Sequence, residues 1–130
     1  MTRLTITFLA AVLLFTNGQL TGTWTGSIGE KQEDGSFSEQ GSAYLQLQQQ
    51  ADQITGSVGP TSTNAHAIEK ASLSGDRLKF STHYVDPASN ETVAWVFDFT
   101  VHENSMEGTA TGSRGDHSWT VEIRLSRLRS

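Results

Sequence analysis

Four short phrases of one kind recur along this chain, each a hydrophobic residue followed by Thr, Ser or Glu and then by glycine. They are Leu20-Thr21-Gly22, Ile54-Thr55-Gly56, Leu73-Ser74-Gly75 and Met106-Glu107-Gly108. Each phrase lies at a turn or at the beginning of a run in which apolar and polar residues alternate. Such alternation is typical of β-strands, because successive side chains of a strand point to opposite faces. The pattern therefore predicts a β-meander that closes into a small barrel.

Eight alternating runs are bounded by turn residues, and no segment has the period of a helix of useful length. The runs cover residues 20–28, 42–50, 53–58, 66–74, 77–84, 92–102, 105–111 and 117–127. Short connections such as Gly75-Asp76 force neighbouring strands to be antiparallel. The predicted fold is therefore all-β, an eight-stranded antiparallel up-and-down barrel. Two longer segments, Gly29 to Gly41 and Val85 to Glu91, are predicted to be loops of the kind that form lids or binding sites.

The first residues have the pattern of a secretory signal peptide. Met1-Thr2-Arg3 is a short basic start, and the apolar run from Leu4 to Phe15 is shorter than the roughly 20 residues that a membrane-spanning helix needs. Small residues precede the expected cleavage site after Gly18. We therefore expect a signal peptide, residues 1–18, and a single β-barrel domain, residues 19–130. The alternative is a cytosolic protein with an apolar first strand, but this run lacks the alternation found elsewhere.

Composition narrows the expected location and the expected partners. The chain contains no cysteine, so it has neither a disulfide framework nor a thiol to lipidate, and we expect a secreted or periplasmic protein without a lipid anchor. Loss of Arg3 with the signal peptide leaves eight basic residues against 14 acidic ones. A surface of this charge repels nucleic-acid phosphates and anionic lipids, so we expect neither nucleic acid nor a membrane as a partner.

Parity within the runs predicts an aromatic interior. The expected inner rows are Ala43, Leu45 and Leu47; Leu78, Phe80, Thr82 and Tyr84; Val93, Trp95, Phe97, Phe99 and Val101; and Trp119, Val121, Ile123 and Leu125. Ile68 and Leu73 are an odd number of residues apart, so a β-bulge or kink is expected near Glu69-Lys70. A solvated strand face is suggested by four glutamines, Gln46, Gln48, Gln49 and Gln50.

Trp24, in Gly22-Thr23-Trp24, and Arg127, in Leu125-Ser126-Arg127, carry a resemblance to the calycins, the group of lipocalins, fatty-acid-binding proteins and avidins. Members of that group resemble one another in a glycine-x-tryptophan opening and in an arginine that packs across the tryptophan at the closed end of the barrel. The resemblance implies a lipocalin-like or avidin-like barrel in which Gly22, Trp24 and Arg127 have a structural, barrel-closing role. Arg127 also continues the parity of the inner row that ends at Leu125.

The opening Leu20-Thr21-Gly22-Thr23-Trp24 is most similar to avidins, but the resemblance fails where biotin would bind. Avidins follow the tryptophan with an asparagine and a serine that hydrogen-bond the ureido oxygen, whereas this chain has Gly26 and Glu30. A carboxylate cannot donate to that oxygen, so biotin is not an expected ligand. Most of the mature chain is more similar to small secreted bacterial β-barrel domains of unassigned activity. The motifs that carry this likeness are Tyr44-Leu45-Gln46-Leu47-Gln48-Gln49, Gly56-Ser57-Val58-Gly59-Pro60, Gly75-Asp76-Arg77-Leu78-Lys79-Phe80 and Leu125-Ser126-Arg127.

No catalytic, metal or cofactor site is expected. The four histidines lack the close spacing of zinc or copper ligands and are interpreted as surface residues: His66, His83, His102 and His117. The chain has no Gly-x-Ser-x-Gly elbow and no cysteine nucleophile. Asp98 and Glu122 fall on the outer parity of their strands, which argues against a glycosidase carboxylate pair. Asn90-Glu91-Thr92 is a glycosylation sequon that matters only in a source with the machinery.

The leading functional hypothesis is a secreted, non-enzymatic β-barrel that binds a small, partly apolar ligand in the barrel mouth. The residues expected to line that site are Tyr84, Trp95, Phe97 and Trp119. In the alternative hypothesis the aromatic side chains fill the barrel, and the protein is an inhibitor or accessory protein whose loops contact a partner protein. An eight-stranded barrel is just wide enough for either arrangement. No cofactor is expected in either case, and the oligomeric state is left open.

Overall fold

The computed structural model describes residues 19–128, so the expected signal peptide and its cleavage site lie outside the described residues. The strands are β1 (Gly22–Lys31), β2 (Phe37–Gln50), β3 (Gln53–Thr61), β4 (Asn64–Ala67), β5 (Glu69–Ser74), β6 (Arg77–Val85), β7 (Thr92–Val101), β8 (Ser105–Arg114) and β9 (His117–Arg127). Within residues 19–128, no helix is long and apolar enough to cross a membrane.

All nine strands belong to one antiparallel sheet in the order β4-β3-β2-β1-β9-β8-β7-β6-β5. Consecutive strands pair with each other except at β4 and β5, and the pairing of β1 with β9 joins the two ends of the described chain. The predicted all-β, antiparallel up-and-down fold is therefore confirmed. The turns 51–52 and 75–76 and the bend at 102–104 lie at one end of the barrel, here called the closed end. The turns 32–36, 62–63, 86–91 and 115–116 lie at the other, here called the open end.

The strand count differs from the predicted eight because the run 66–74 is broken at Ile68. Before the break β4 pairs with β3, and after it β5 pairs with β6. The expected irregularity is present, since the β5 register shifts between Glu69 and Ser72 and Lys70 has a φ of 54°. The Ile68 N–H donates to the Gly56 carbonyl at 3.0 Å. The sheet is thus not strictly closed, because its two edges meet at this kink without a continuous ladder.

The segment 29–41, predicted to be a long loop, is instead the outer part of the β1–β2 hairpin. β1 and β2 run into it and leave only residues 32–36 as a turn. In that turn the Gln32 N–H donates to the Ser36 carbonyl at 2.7 Å. The Asp34 carboxylate accepts from the Ser36 hydroxyl and N–H at 2.6 and 2.9 Å, which lowers the pKa of Asp34. The loop prediction was wrong because both faces of segment 29–41 are largely exposed, so no apolar alternation marks it as strand.

The second predicted loop is present as residues 86–91, which connect β6 to β7. The Asp86 N–H donates to the Glu91 carbonyl at 2.8 Å, and the Asn90 N–H donates to the Asp86 carbonyl at 2.7 Å. Asn90, the sequon residue, is exposed and has a φ of 61°.

Members of the inner rows near the open end, such as Tyr84 and Trp95, are only partly buried. Members near the closed end form a packed core. Its largest fully buried side chains are Trp24, Phe99, Leu20, Leu45, Leu47, Leu78 and Met106. Gln49 corrects the prediction of a solvated glutamine face, because it shares the parity of Leu45 and Leu47 and is only 8% exposed. Its Oε1 accepts the Leu20 N–H at 3.0 Å, so this buried amide holds Leu20 in the closed end.

The glycines of the repeated phrase have more than one structural role. Gly75 occupies a two-residue turn with a φ of 62°, a conformation that glycine adopts without steric cost. Gly108 lies within β8, where an added Cβ would collide with the Asp98 carbonyl of β7. One phrase therefore makes a turn, whereas another permits the close approach of neighbouring strands.

Candidate ligand cavity

The barrel is packed at the closed end and hollow toward the open end, where it contains a cavity of about 560 Å³. The apolar walls of the cavity include Ile28, Ala43, Val58, Trp95, Phe97 and Val121. A volume of this size is typical of small-molecule sites, which span roughly 300–1,000 Å³. The side-chain-filled barrel of the alternative hypothesis therefore describes only the closed half of the molecule.

Small residues on the inner face of β8 leave room for this cavity. Ala110 is buried, lines the cavity and lies between Phe97 of β7 and Val121 of β9 in the sheet register. One step toward the open end, Gly112 lies between Trp95 and Trp119. An added Cβ on Gly112 would approach both indoles at 2.9–3.0 Å. The sequence signal for this space lies outside the aromatic rows, in the alternation of Gly108, Ala110 and Gly112 at inner parity.

Three of the four predicted ligand-binding residues line the cavity, namely Tyr84, Trp95 and Phe97. Trp119 does not line it. Its indole meets that of Trp95 edge to face, with centroids 5.5 Å apart and an interplanar angle of 90°. The geometry makes Trp119 a support for Trp95, because such edge-to-face packing fixes the orientation of both rings. Whether any of these residues binds a ligand stays a prediction.

His66 lies at the cavity, although the sequence predicted a surface histidine. Its imidazole stacks on the Tyr84 ring with centroids 4.3 Å apart and an interplanar angle of 10°. The stack joins β4 to β6 where no ladder pairs them, and the Thr82 hydroxyl donates to the Ala67 carbonyl at 2.7 Å in the same place. Parity could not place His66, because the kink after Ala67 separates it from the regular rows.

The polar groups of the cavity wall fall into two sets. The Ser42 and Thr82 hydroxyls donate to the carbonyls of Pro60 and Ala67 at 2.8 and 2.7 Å, so their protons are already engaged. Asn64, His66 and Tyr84 also line the cavity, and within residues 19–128 their side chains have no hydrogen-bond partner. The second set can therefore bond a guest. The arrangement provides apolar contact over most of the wall and hydrogen bonding near β4 and β6.

The closed end contains the predicted contact between Trp24 and Arg127. The Arg127 guanidinium lies 4.2 Å from the centroid of the Trp24 ring, and the Trp24 indole N–H donates to the Leu20 carbonyl at 3.1 Å. The guanidinium also donates to the Thr21 and Gln19 carbonyls at 2.7 and 2.6 Å, and partial burial lowers the pKa of Arg127. Because a Cβ on Gly22 would lie 3.1 Å from Nη1 of Arg127, glycine gives the guanidinium its space.

The remaining histidines and the candidate carboxylates lie outside this cavity. His83 bonds Glu69 and His102 bonds Glu107, both at 2.7 Å, and all four side chains are about half exposed. Asp98 forms a bidentate contact with Arg77 at 2.8 Å on the outer surface, which raises the pKa of Arg77. Within the described part of the chain, no three His, Cys, Asp or Glu side chains form a group suited to hold a metal ion.

Comparisons with known proteins identify no family. No family model matches the chain, and no curated protein matches it. Among solved structures, the chain is similar to a secretary abundant heat soluble (SAHS) protein from Ramazzottius varieornatus. The similarity covers 88% of this chain and 98% of that one, with 11% identity and a TM-score of 0.42.

Proposed function

We propose that this protein is a non-enzymatic binding protein that holds a small, partly apolar ligand in the cavity at the open end of the barrel. The observation that carries the proposal is the cavity itself, about 560 Å³ of space with apolar walls and a few polar side chains. Close packing is the rule in protein interiors, where voids larger than a water molecule are few. A cavity of this size at one end of an otherwise packed barrel therefore supports a role in ligand binding.

The division of the barrel into two halves supports the same proposal. The fully buried closed end, which includes Trp24, Leu45 and Phe99, supplies the stability of the fold. The open half places Tyr84, Trp95 and Phe97 around the space that a ligand would enter. Burial of apolar ligand surface against such walls contributes about 25 cal/mol per Å² before the costs of association are subtracted.

We also propose that the protein acts after export, as a secreted or periplasmic protein. The support is the N-terminal sequence alone, a basic start followed by an apolar run and small residues. Intact-mass measurement of the protein recovered from the periplasm or medium tests this. We expect a mature N-terminus near Gln19, whereas a full-length protein confined to the cytosol would contradict export.

Titration with N-phenyl-1-naphthylamine, an uncharged fluorophore that brightens in apolar surroundings, tests the binding proposal. We expect saturable binding at one site per chain, accompanied by quenching of tryptophan fluorescence because Trp95 lines the cavity. Ala110→Leu should weaken this binding by about tenfold or more, since the larger side chain would occupy the cavity. Thr109→Leu is the matched control, because Thr109 neighbours Ala110 on the same strand but is exposed.

Two results would contradict the binding proposal. One is the absence of saturable fluorescence enhancement in the folded parent protein. The other is equal affinity of the parent, Ala110→Leu and Thr109→Leu proteins, which would place the fluorophore on the outer surface. Ala43→Phe, at a lining position of β2, provides a second cavity-filling variant if Ala110→Leu does not fold.

A further inference from the structure

The cavity wall carries no lysine, arginine or carboxylate side chain within the described part of the chain. Its titratable side chains are those of His66 and Tyr84. A charged group transferred into such a space loses its hydration and finds no opposite charge to replace it. The wall therefore penalises a charge of either sign.

The arginines near the open half have other partners. Arg114, at the end of β8, lies 3.5 Å from Asp86. Arg124 faces outward on β9, where its guanidinium lies 4.3 Å from the centroid of the Phe37 ring. Neither guanidinium belongs to the cavity lining. A ligand carboxylate or sulfonate would thus have no guanidinium to bind within the cavity.

Acidic residues are concentrated on the turns at the open end. The four turns at the open end carry the acidic residues Glu33, Asp34, Asp86, Glu91 and Asp116 and no lysine or arginine. The adjoining strand ends carry the cations Lys31 and Arg114, and Arg114 is already paired with Asp86. The field at the entrance therefore disfavours the approach of an anion, and the effect weakens as salt screens it.

The wall nevertheless offers hydrogen bonds in one place. Asn64 and His66 come from β4, and Tyr84 comes from β6. The His66–Tyr84 stack bridges the place where these two strands face each other without a ladder, here called the seam. The opposite walls, which include Ile28, Val121 and Ile123, are aliphatic. A guest that matches this distribution has one polar end near the seam and an apolar body elsewhere.

We propose that the cavity selects uncharged, largely apolar ligands with one hydrogen-bonding group, and that it rejects carboxylates and sulfonates of the same shape. This inference rests on the proposed binding function and narrows its ligand class. The uncharged lining sets the preference inside the cavity, and the acidic entrance adds to it for anions.

A pair of fluorophores with one skeleton tests this selectivity. 1-Anilinonaphthalene-8-sulfonate is N-phenyl-1-naphthylamine with an added sulfonate, so the two differ chiefly in charge. We expect the uncharged compound to bind at least about tenfold more tightly at low salt. Added salt should narrow the difference without abolishing it, because it screens the entrance more than the interior.

His66→Arg supplies the missing cation and keeps a flat group that can stack on Tyr84. In this variant the affinity for the sulfonate should rise by about tenfold or more, while that for the uncharged compound should change less. His83→Arg is the matched control, since His83 lies on the outer face beside Glu69 and adds the same charge away from the cavity. If His66→Arg does not fold, Asn64→Arg provides a second cation at the same wall.

The outcomes separate this inference from the binding proposal on which it rests. Equal or tighter binding of the sulfonate to the parent, lost in Ala110→Leu, would overturn the inference and leave the binding proposal standing. Binding of the sulfonate that increases equally in His66→Arg and His83→Arg would also overturn the inference, because charge outside the cavity would then suffice. Failure of both fluorophores to bind would overturn the two proposals together.

Discussion

The guanidinium of Arg127 lies 4.2 Å from the centroid of the Trp24 indole and donates to the backbone carbonyls of Thr21 and Gln19. Trp24 is fully buried, and its own N–H donates to the Leu20 carbonyl. The contact therefore binds the last strand to the first strand and to the residues that precede it. It lies at the closed end, and neither side chain belongs to the cavity lining, so its expected contribution is to stability.

Trp24→Ala should destabilise the fold by about 3–5 kcal/mol, the usual cost of removing a buried aromatic side chain. Arg127→Ala should cost about 1–3 kcal/mol, because the cation–π contact and two charge-assisted hydrogen bonds are lost. Urea unfolding followed by tryptophan fluorescence measures both. Arg124→Ala is the control, since Arg124 also lies over an aromatic ring but is exposed, and it should cost no more than about 1 kcal/mol. A parent-like free energy of unfolding in either closed-end variant would show that the contact does not close the barrel.

Gly112→Ala should disturb the pair of tryptophans that flank it. An added Cβ would approach the Trp119 and Trp95 rings at 2.9–3.0 Å, so the indoles must move apart. We expect a loss of about 1–3 kcal/mol and a reduced near-ultraviolet circular dichroism signal from the coupled indoles. Gly41→Ala is the matched strand control, because its Cβ would meet its nearest neighbour, Ile28, at an ordinary 3.6 Å. Equal effects of the two substitutions would contradict this account of β8.

Two turns at the closed end allow a reciprocal test of backbone strain. Ala51 has a φ of 58°, close to the 62° of Gly75, although alanine rarely adopts this conformation. Ala51→Gly should therefore stabilise the protein by up to about 1 kcal/mol, and Gly75→Ala should destabilise it by about the same amount. No heavy atom lies within 4 Å of a Cβ built on Gly75, so the second effect measures conformation rather than crowding. Changes of the same sign in thermal unfolding would contradict the strain argument.

The strand rows could be predicted from sequence because a half-buried strand displays its faces directly in the alternation of residues. Phe97 and Phe99, for example, are both buried and share the predicted inner face. The same rule fails where neither face is buried. The outer part of the β1–β2 hairpin, which contains Asp34, is largely exposed on both faces, so its sequence resembles that of a loop. Gln49 shows the opposite failure. Its polar side chain predicts exposure, whereas its parity with Leu45 and Leu47 correctly indicates burial.

The cavity could be predicted only in part, because its volume depends on the sizes of side chains that neighbouring strands bring side by side. The alternation within a single strand does not give this register. Aromatic residues such as Trp95 indicated an inner face, but the empty space arises from the small Ala110 across the register. His66 reached the wall through the kink at Ile68, which no regular period describes. Trp119 was placed on the correct face, yet its register opposite Gly112 turns it toward Trp95.

Thr82→Val should loosen the seam between β4 and β6, where the sheet is not closed by a ladder. The substitution keeps the shape of the side chain but removes the hydroxyl that donates to the Ala67 carbonyl at 2.7 Å. A carbonyl left without its partner costs about 1–3 kcal/mol, and the strain falls on the segment around the kink. We therefore expect faster amide hydrogen exchange at Ile68, whose N–H bonds the Gly56 carbonyl, than in the parent protein. Thr82→Ser is the control, because it retains the hydroxyl and should leave that exchange nearly unchanged. If Thr82→Val protected Ile68 as well as the parent does, the seam would be held by the His66–Tyr84 stack and by the packing around it rather than by this hydrogen bond.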